Sequence, residues 1–307
     1  MNLAQLVKLA AAFTYRMGYK LHHRFFLKRK AKLSHAKLIV VGSFLAGGAG
    51  KTPFCAFLAN LIHKVSPNSA NSNRTPPRIA ILCHKKAMDE AQMLRCKIPY
   101  VKVFTTANRQ RKASEIDKDF DFIICDDGFE DSRIAEDLTI RLDWGKLPQD
   151  LGSIIPAGNC RSLPKDHCGK TLPVDCTGNS DSSASVKFKI AEIKNNLNKK
   201  IPDSSNPLAI CAIGDPQRFK RDIEKFIGKK IPLQKFRDHY GGLEKRIGTT
   251  LRHTESPVII TEKDFSKLGC RMRKNPRIYT VTQVVEMDER SRKIIFDALN
   301  LPCKAIT

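Results

Sequence analysis

Apolar residues recur at Leu3, Leu6, Val7, Ala10, Phe13, Met17 and Leu21, a three-to-four spacing that predicts an amphipathic helix, with Lys8, Arg16, Lys20 and Arg24 set between them. Phe25-Phe26-Leu27 and the basic run Lys28-Arg29-Lys30 follow. The period then changes. Leu38 to Val41 is an unbroken apolar run leading into glycine-rich sequence, which reads as a buried parallel strand. From Pro53 to about Lys64 the spacing is helical again, with Phe54, Phe57, Leu58, Leu61 and Ile62 on one face. After a polar loop at 66–77, short apolar runs at Arg78 to Cys83, Val101 to Phe104 and Phe122 to Cys125 alternate with helical stretches. Strand and helix in alternation predict a doubly wound parallel sheet. Ser, Asn, Lys and Pro dominate residues 178–185 and 194–207, the composition of linker or surface excursion. A second alternation begins at Leu208, with a helix from Asp215-Pro216 and strands at 257–261 and 277–285.

With 307 residues the chain is long enough for two domains. Its 41% hydrophobic and 28% charged residues describe an ordinary globular protein. The charge changes the picture more. Fifty-four Lys and Arg against 31 Asp and Glu leave +23, which implies an anionic partner. No acid precedes Asp89, so the 15 Lys and Arg of residues 1–88 hold about two-thirds of that excess. No apolar stretch approaches the ~20 residues needed to span a bilayer. A basic amphipathic helix with aromatic anchors instead suits an anionic membrane surface, or else packs on the body with a solvated basic side. No nucleic-acid motif accompanies the charge, and none is expected to bind. The ten cysteines contain no C-x-x-C pair, which fits a reducing compartment better than a metal knuckle.

Gly47-Gly48-Ala49-Gly50-Lys51-Thr52 stands after a strand and before a helix. Glycines let the backbone wrap phosphate oxygens, while successive N–H groups and the helix N-terminus offer donors. Lys51 would reach the β- and γ-phosphates of a nucleotide, and the Thr52 hydroxyl would ligate Mg2+. The strict pattern wants glycine at 45, where Leu45 stands. Downstream, Phe122-Ile123-Ile124-Cys125 delivers Asp126-Asp127-Gly128, an apolar strand ending in carboxylates of the kind that orders a metal at a phosphate site. Thr52 and Asp127 are therefore the candidate metal ligands. The expected fold class is α/β: a P-loop NTPase-like doubly wound parallel sheet, a second, smaller α/β lobe and an N-terminal amphipathic helix. The expected boundaries are 1–37 for the membrane-surface helix, 38–150 for the nucleotide-binding domain, 151–207 for a linker region and 208–307 for the second lobe with a C-terminal helix.

Gly42-Ser43 followed by GGAGKTP, then CDDGFEDSRIAEDLTIRLD, IIPAGNCR, DHY at 238–240 and TEKD at 261–264, in that order, resemble the tetraacyldisaccharide 4'-kinases. The resemblance covers roughly residues 5–285. It implies an ATP- and Mg2+-dependent lipid A 4'-kinase acting on a glycolipid at the cytoplasmic face of a bacterial inner membrane, peripherally bound. It also implies catalytic roles for Asp89 and His239 as a base pair beside Lys51, and further site roles for Asp126, Arg161 and Glu262. The acceptor side departs from the family pattern. Cys83-His84-Lys85-Lys86 replaces a Ser-Arg-Gly-Tyr loop, Met88-Asp89-Glu90-Ala91 replaces Gly-Asp-Glu-Pro, Glu130-Asp131 replaces Gln-His, and Ser162 replaces an acid after Arg161. A nucleotide-binding switch or scaffold of the same fold, with altered phosphotransfer, is the alternative those departures leave open.

Overall fold

The computed structural model describes residues 2–26, 32–64, 76–167, 170–178 and 183–302. The basic run Lys28-Arg29-Lys30, most of the polar loop at 66–77, and Cys168 lie outside the described residues. The chain divides into two compact units, Met1–Lys187 with Met287–Thr307, and Phe188–Glu286.

The first unit opens with α1 (Leu3–Phe26) and continues as β1 (Lys37–Gly42), α2 (Lys51–Lys64), β2 (Ile79–His84), α3 (Met88–Lys97), β3 (Lys102–Thr106), α4 (Arg109–Glu115), β4 (Phe122–Asp126), β5 (Leu138–Asp143), β6 (Thr171–Asp175) and β7 (Ala184–Ser185). These seven strands form one sheet in the order β3-β2-β4-β1-β5-β6-β7, parallel throughout. Its central strands are buried on both faces, so β1 and β4 read as continuous apolar runs. Phe54, Leu58 and Ile62 of α2 are fully buried. Each such side chain contributes about 1.5–3 kcal/mol by leaving water. The pairing of β1 with β4 sets Val41 opposite Asp126, so the glycine-rich loop and the two aspartates leave the sheet side by side. In open α/β sheets that carboxyl end is where ligands bind.

Residues 151–207, read from the sequence as a linker region, contain β6, β7 and the start of the second unit's sheet. Pro173 inside β6 and the two-residue length of β7 hide them from a pattern search.

The second unit holds β8 (Lys187–Asn195), β9 (Leu208–Cys211), α5 (Pro216–Ile227), β10 (Leu233–Lys235), α6 (Leu243–His253), β11 (Val258–Thr261), α7 (Glu262–Phe265), α8 (Cys270–Arg273) and β12 (Ile278–Glu286). Its five strands run in the order β10-β9-β11-β12-β8. The C-terminal helix α9 (Glu289–Leu299) returns to the first unit, where Ser291 accepts from the backbone of Ser185 at 2.8 Å.

Helix α1 has two faces. Ala12 is fully buried in a cluster with Phe44, Ile154, Cys160 and Leu163, and Arg16 grips Asp166 at 2.8 and 3.3 Å. On the opposite side Leu3, Leu6, Val7, Phe13, Met17, Leu21 and Phe25 stand exposed, Leu3 and Phe25 by more than three-quarters of their area (77% and 76%). Among the described residues no helix is long and apolar enough to cross a membrane.

Candidate functional site

The glycine-rich loop is shaped by its backbone. Gly48 and Gly50 sit at φ +74° and +75°, a left-handed conformation that side chains disfavour, and their alternation with Ala49 curls the chain into the start of α2. Helix α2 begins at Lys51 with no acid in its first turn, so no carboxylate of its own competes for the N–H groups at its start. Pro53 costs nothing there because its missing N–H would have had no helical partner.

A brace holds the loop from behind. Ala46 N–H donates to Asn159 O at 2.9 Å, Arg161 N–H to Phe44 O at 2.8 Å, and the Arg161 guanidinium to Ala46 O at 2.6 Å. Trp144, the only tryptophan of the chain, donates its indole N–H to Ala49 O at 3.0 Å. Leu45, where the strict motif has glycine, packs with Phe44 in the cluster that also buries Ala12 of α1. This departure is a packing residue of the brace and leaves the glycines that curl the loop in place.

Thr52 donates its hydroxyl to Asp126 at 2.7 Å, while Asp127 receives Lys51 at 3.2 Å and Arg161 on both oxygens at 2.9 Å. The sequence paired Thr52 with Asp127. The structure instead brings Thr52 to Asp126, the last residue of β4. Asp127 lies beyond the strand at φ +52°, which turns its carboxylate toward Lys51 and Arg161. The two acids differ electrostatically. Burial, with the carboxylates of Glu90 and Asp127 beside it, pushes Asp126 up against the opposing pull of Thr52 and Lys51. Burial also works to raise Asp127, but Lys51 and Arg161 outweigh it and hold it below the usual carboxylate range. A buried carboxylate short of positive charge, beside a hydroxyl and a second carboxylate, is a hard-oxygen donor set that fits Mg2+.

Asp89 occupies the first turn of α3, half-buried, and accepts from Glu90 N–H at 3.1 Å. Glu90 belongs to the electrostatics of Asp126, a role the sequence did not suggest. In the second unit His239 sits at φ +57°, its backbone N–H donating to Asp238 at 2.9 Å. Lys263 reaches Asp238 at 3.0 Å and lies 3.4 Å from His239 Nε2. The remaining residues of the TEKD turn build the fold. Thr261 caps α7, and the fully buried Asp264 accepts from Ala212 N–H, Thr261 and Lys267. Glu262 is the first residue of α7 and is half-buried.

Two of the acceptor-side departures, Glu130 and Ser162, meet in a cluster of their own. Ser162 donates to Glu130 at 2.6 Å and lies 2.7 Å from His167 Nε2, while Phe129 stacks on the His167 ring with centroids 3.9 Å apart. Burial raises Glu130 although hydrogen bonds from Ser162 and Tyr19 pull the other way. His167 carried no sequence signal; it reaches this cluster because the turn after Ser162 folds back on Phe129.

A parallel sheet whose first strand feeds a glycine-rich loop and a Lys-Thr helix start, with one aspartate ending the adjacent strand and a second just after it, defines a P-loop NTPase-like α/β protein. Residues 4–300 match the family described as Tetraacyldisaccharide-1-P 4'-kinase. The chain belongs to that family. It is 28% identical over 269 residues to the tetraacyldisaccharide 4'-kinase of Chlamydia abortus, spanning 76% of this chain and 72% of the relative. With the Rhizobium etli tetraacyldisaccharide 4'-kinase it shares 25% over 304 residues, 91% and 86% of the two chains. The crystal structure of LpxK from Aquifex aeolicus in complex with ATP superimposes with a TM-score of 0.68 at 20% identity, covering 96% of this chain and 99% of that one, and so shares the fold.

Proposed function

We propose that this protein transfers the γ-phosphoryl group of ATP to the 4'-hydroxyl of a tetraacyldisaccharide 1-phosphate, the lipid A precursor. The observation that supports it best is the joint retention of curled loop, Lys51, Thr52, Asp126 and Asp127 in a chain that belongs to this family. Gly47 to Thr52 offer N–H donors to the phosphates, and Lys51 exchanges its contact with Asp127 for phosphate oxygens when nucleotide arrives. Thr52 and Asp126 would hold the magnesium, with Asp127 as a further acid. Magnesium bound there supplies charge neutralisation on the transferring group. Arg161 keeps Asp127 and the loop in register. We assign to Asp89 and His239 the base role that the resemblance implies, taking the proton of the attacking hydroxyl.

The second site of action is the membrane. The exposed apolar face of α1, with Lys8, Lys20 and Arg24 also exposed, suits an anionic surface on which the acylated substrate is embedded. We place the protein peripherally at the cytoplasmic face of the inner membrane on that basis. The reading is tested by mass spectrometry of the lipid product with ATP present: fragmentation must locate one new phosphate on the 4'-oxygen of the distal sugar. ADP release without a phosphorylated lipid would favour the switch or scaffold reading.

A further inference from the structure

Arg109, the first residue of α4, has only 6% of its surface exposed, and its Nε is buried without a hydrogen-bond partner. A guanidinium in such a place carries a desolvation penalty that its remaining partners must offset. Its Nη2 donates to two successive backbone carbonyls, Asp126 O at 3.1 Å and Asp127 O at 3.2 Å. Its Nη1 lies 3.3 Å from Asp131, and Asp131 is itself clamped by Arg133 at 2.7 and 2.8 Å.

Those two carbonyls belong to the turn that separates the roles of the paired aspartates. Asp127 is at φ +52°, a conformation that a non-glycine residue keeps only where its surroundings impose it. One planar group that donates to two consecutive carbonyls from a single nitrogen fixes their relative orientation. It thereby fixes which carboxylate faces Thr52 and which faces Lys51. The rest of the loop is tied to the same place: Arg133 donates to Ala107 O, and Ala135 N–H to the Gln110 side chain.

We propose that Arg109 is the positioning residue for the Asp126–Asp127 turn, anchored by Asp131, and that it sets the metal site through backbone carbonyls without touching metal or substrate. The proposal rests on the functional reading above. A lysine at 109 carries the charge but lacks the fork that holds the two carbonyls on one nitrogen and Asp131 on the other.

The test uses the full chain and Mn2+ as probe, titrated by electron paramagnetic resonance with ATP present, alongside ATP binding in EDTA, kcat and KM. Arg109→Lys is expected to keep ATP affinity in EDTA, weaken Mn2+ binding about tenfold and lower kcat about ten- to a hundredfold with lipid KM unchanged. Asp131→Asn, which frees the guanidinium on its anchored side, should shift Mn2+ affinity in the same direction by less. It serves also if Arg109→Lys fails to fold. Folded variants with wild-type Mn2+ affinity overturn the proposal, whatever their kcat, because a merely structural arginine would lower stability and leave the metal site alone. Wild-type protein that binds ATP yet takes no Mn2+ overturns the metal reading beneath it, a different outcome from equal affinity in all three proteins.

Discussion

The ammonium of Lys51 lies 3.2 Å from Asp127, the same carboxylate that Arg161 holds on both oxygens at 2.9 Å. Two cations on one acid leave local positive charge for a phosphate, and only Lys51 is on the loop that would wrap it. Lys51→Ala should therefore lower turnover by more than about a hundredfold, roughly 3 kcal/mol of transition-state stabilisation. Arg161 stays on Asp127 in that variant, so the melting temperature should move by a few degrees at most. Full activity in Lys51→Ala would remove the loop from the chemistry.

Asp126 supplies a pH test. Its folded pKa is raised above the ordinary carboxylate value of about 4, by burial first and by Glu90 and Asp127 next. The folded state then binds the proton more tightly than the unfolded one, so this group's penalty is absent below that ordinary value. It grows as pH rises toward the elevated folded pKa, and is constant above it. Asp126→Asn escapes the penalty. Without nucleotide or metal, its melting temperature relative to wild type should climb across that window and then level off. A difference that does not vary with pH would show that Asp126 is not strained by its burial.

Much of this site is legible in the sequence, for reasons that particular residues make plain. Leu38 to Val41 and Phe122 to Cys125 are apolar because their strands are covered on both faces, and the glycines of the loop announce its φ values. The division of labour between Asp126 and Asp127 is not legible. Adjacent acids look alike in sequence, and only the end of β4 and the left-handed turn send them to different partners. The brace from Asn159, Arg161 and Trp144 joins segments about a hundred residues apart and carries no local pattern. Strand β6 is hidden by Pro173, and β5 by the charged sequence that leads into it.

Gly42 shows what one motif residue does. A Cβ there would lie 2.1 Å from Phe129 Cβ and 3.2 Å from its Cα, so neither chain can yield by turning a side chain. Gly42→Ala should cost about 1–3 kcal/mol, read as a lower urea midpoint with an unchanged slope. Wild-type stability would contradict the close packing of the DDGF turn on β1.

Helix α1 separates docking from exposure, and the two faces can be changed independently. Phe13→Ser with Met17→Ser removes exposed apolar area and should release the protein from anionic vesicles by about tenfold or more while its melting temperature holds. Salt should weaken the wild-type binding only in part, since the apolar share is not screened. Undiminished vesicle binding by the double variant would assign that face another task.

Label transfer from γ-labelled ATP to a purified tetraacyldisaccharide 1-phosphate in mixed micelles, followed in a single turnover, tests the central claim most directly. The wild-type protein is expected to move the label to lipid with magnesium present, and Lys51→Ala to leave it on ATP. Labelled lipid formed equally by both proteins, or label released only as inorganic phosphate by the wild type, would contradict the account.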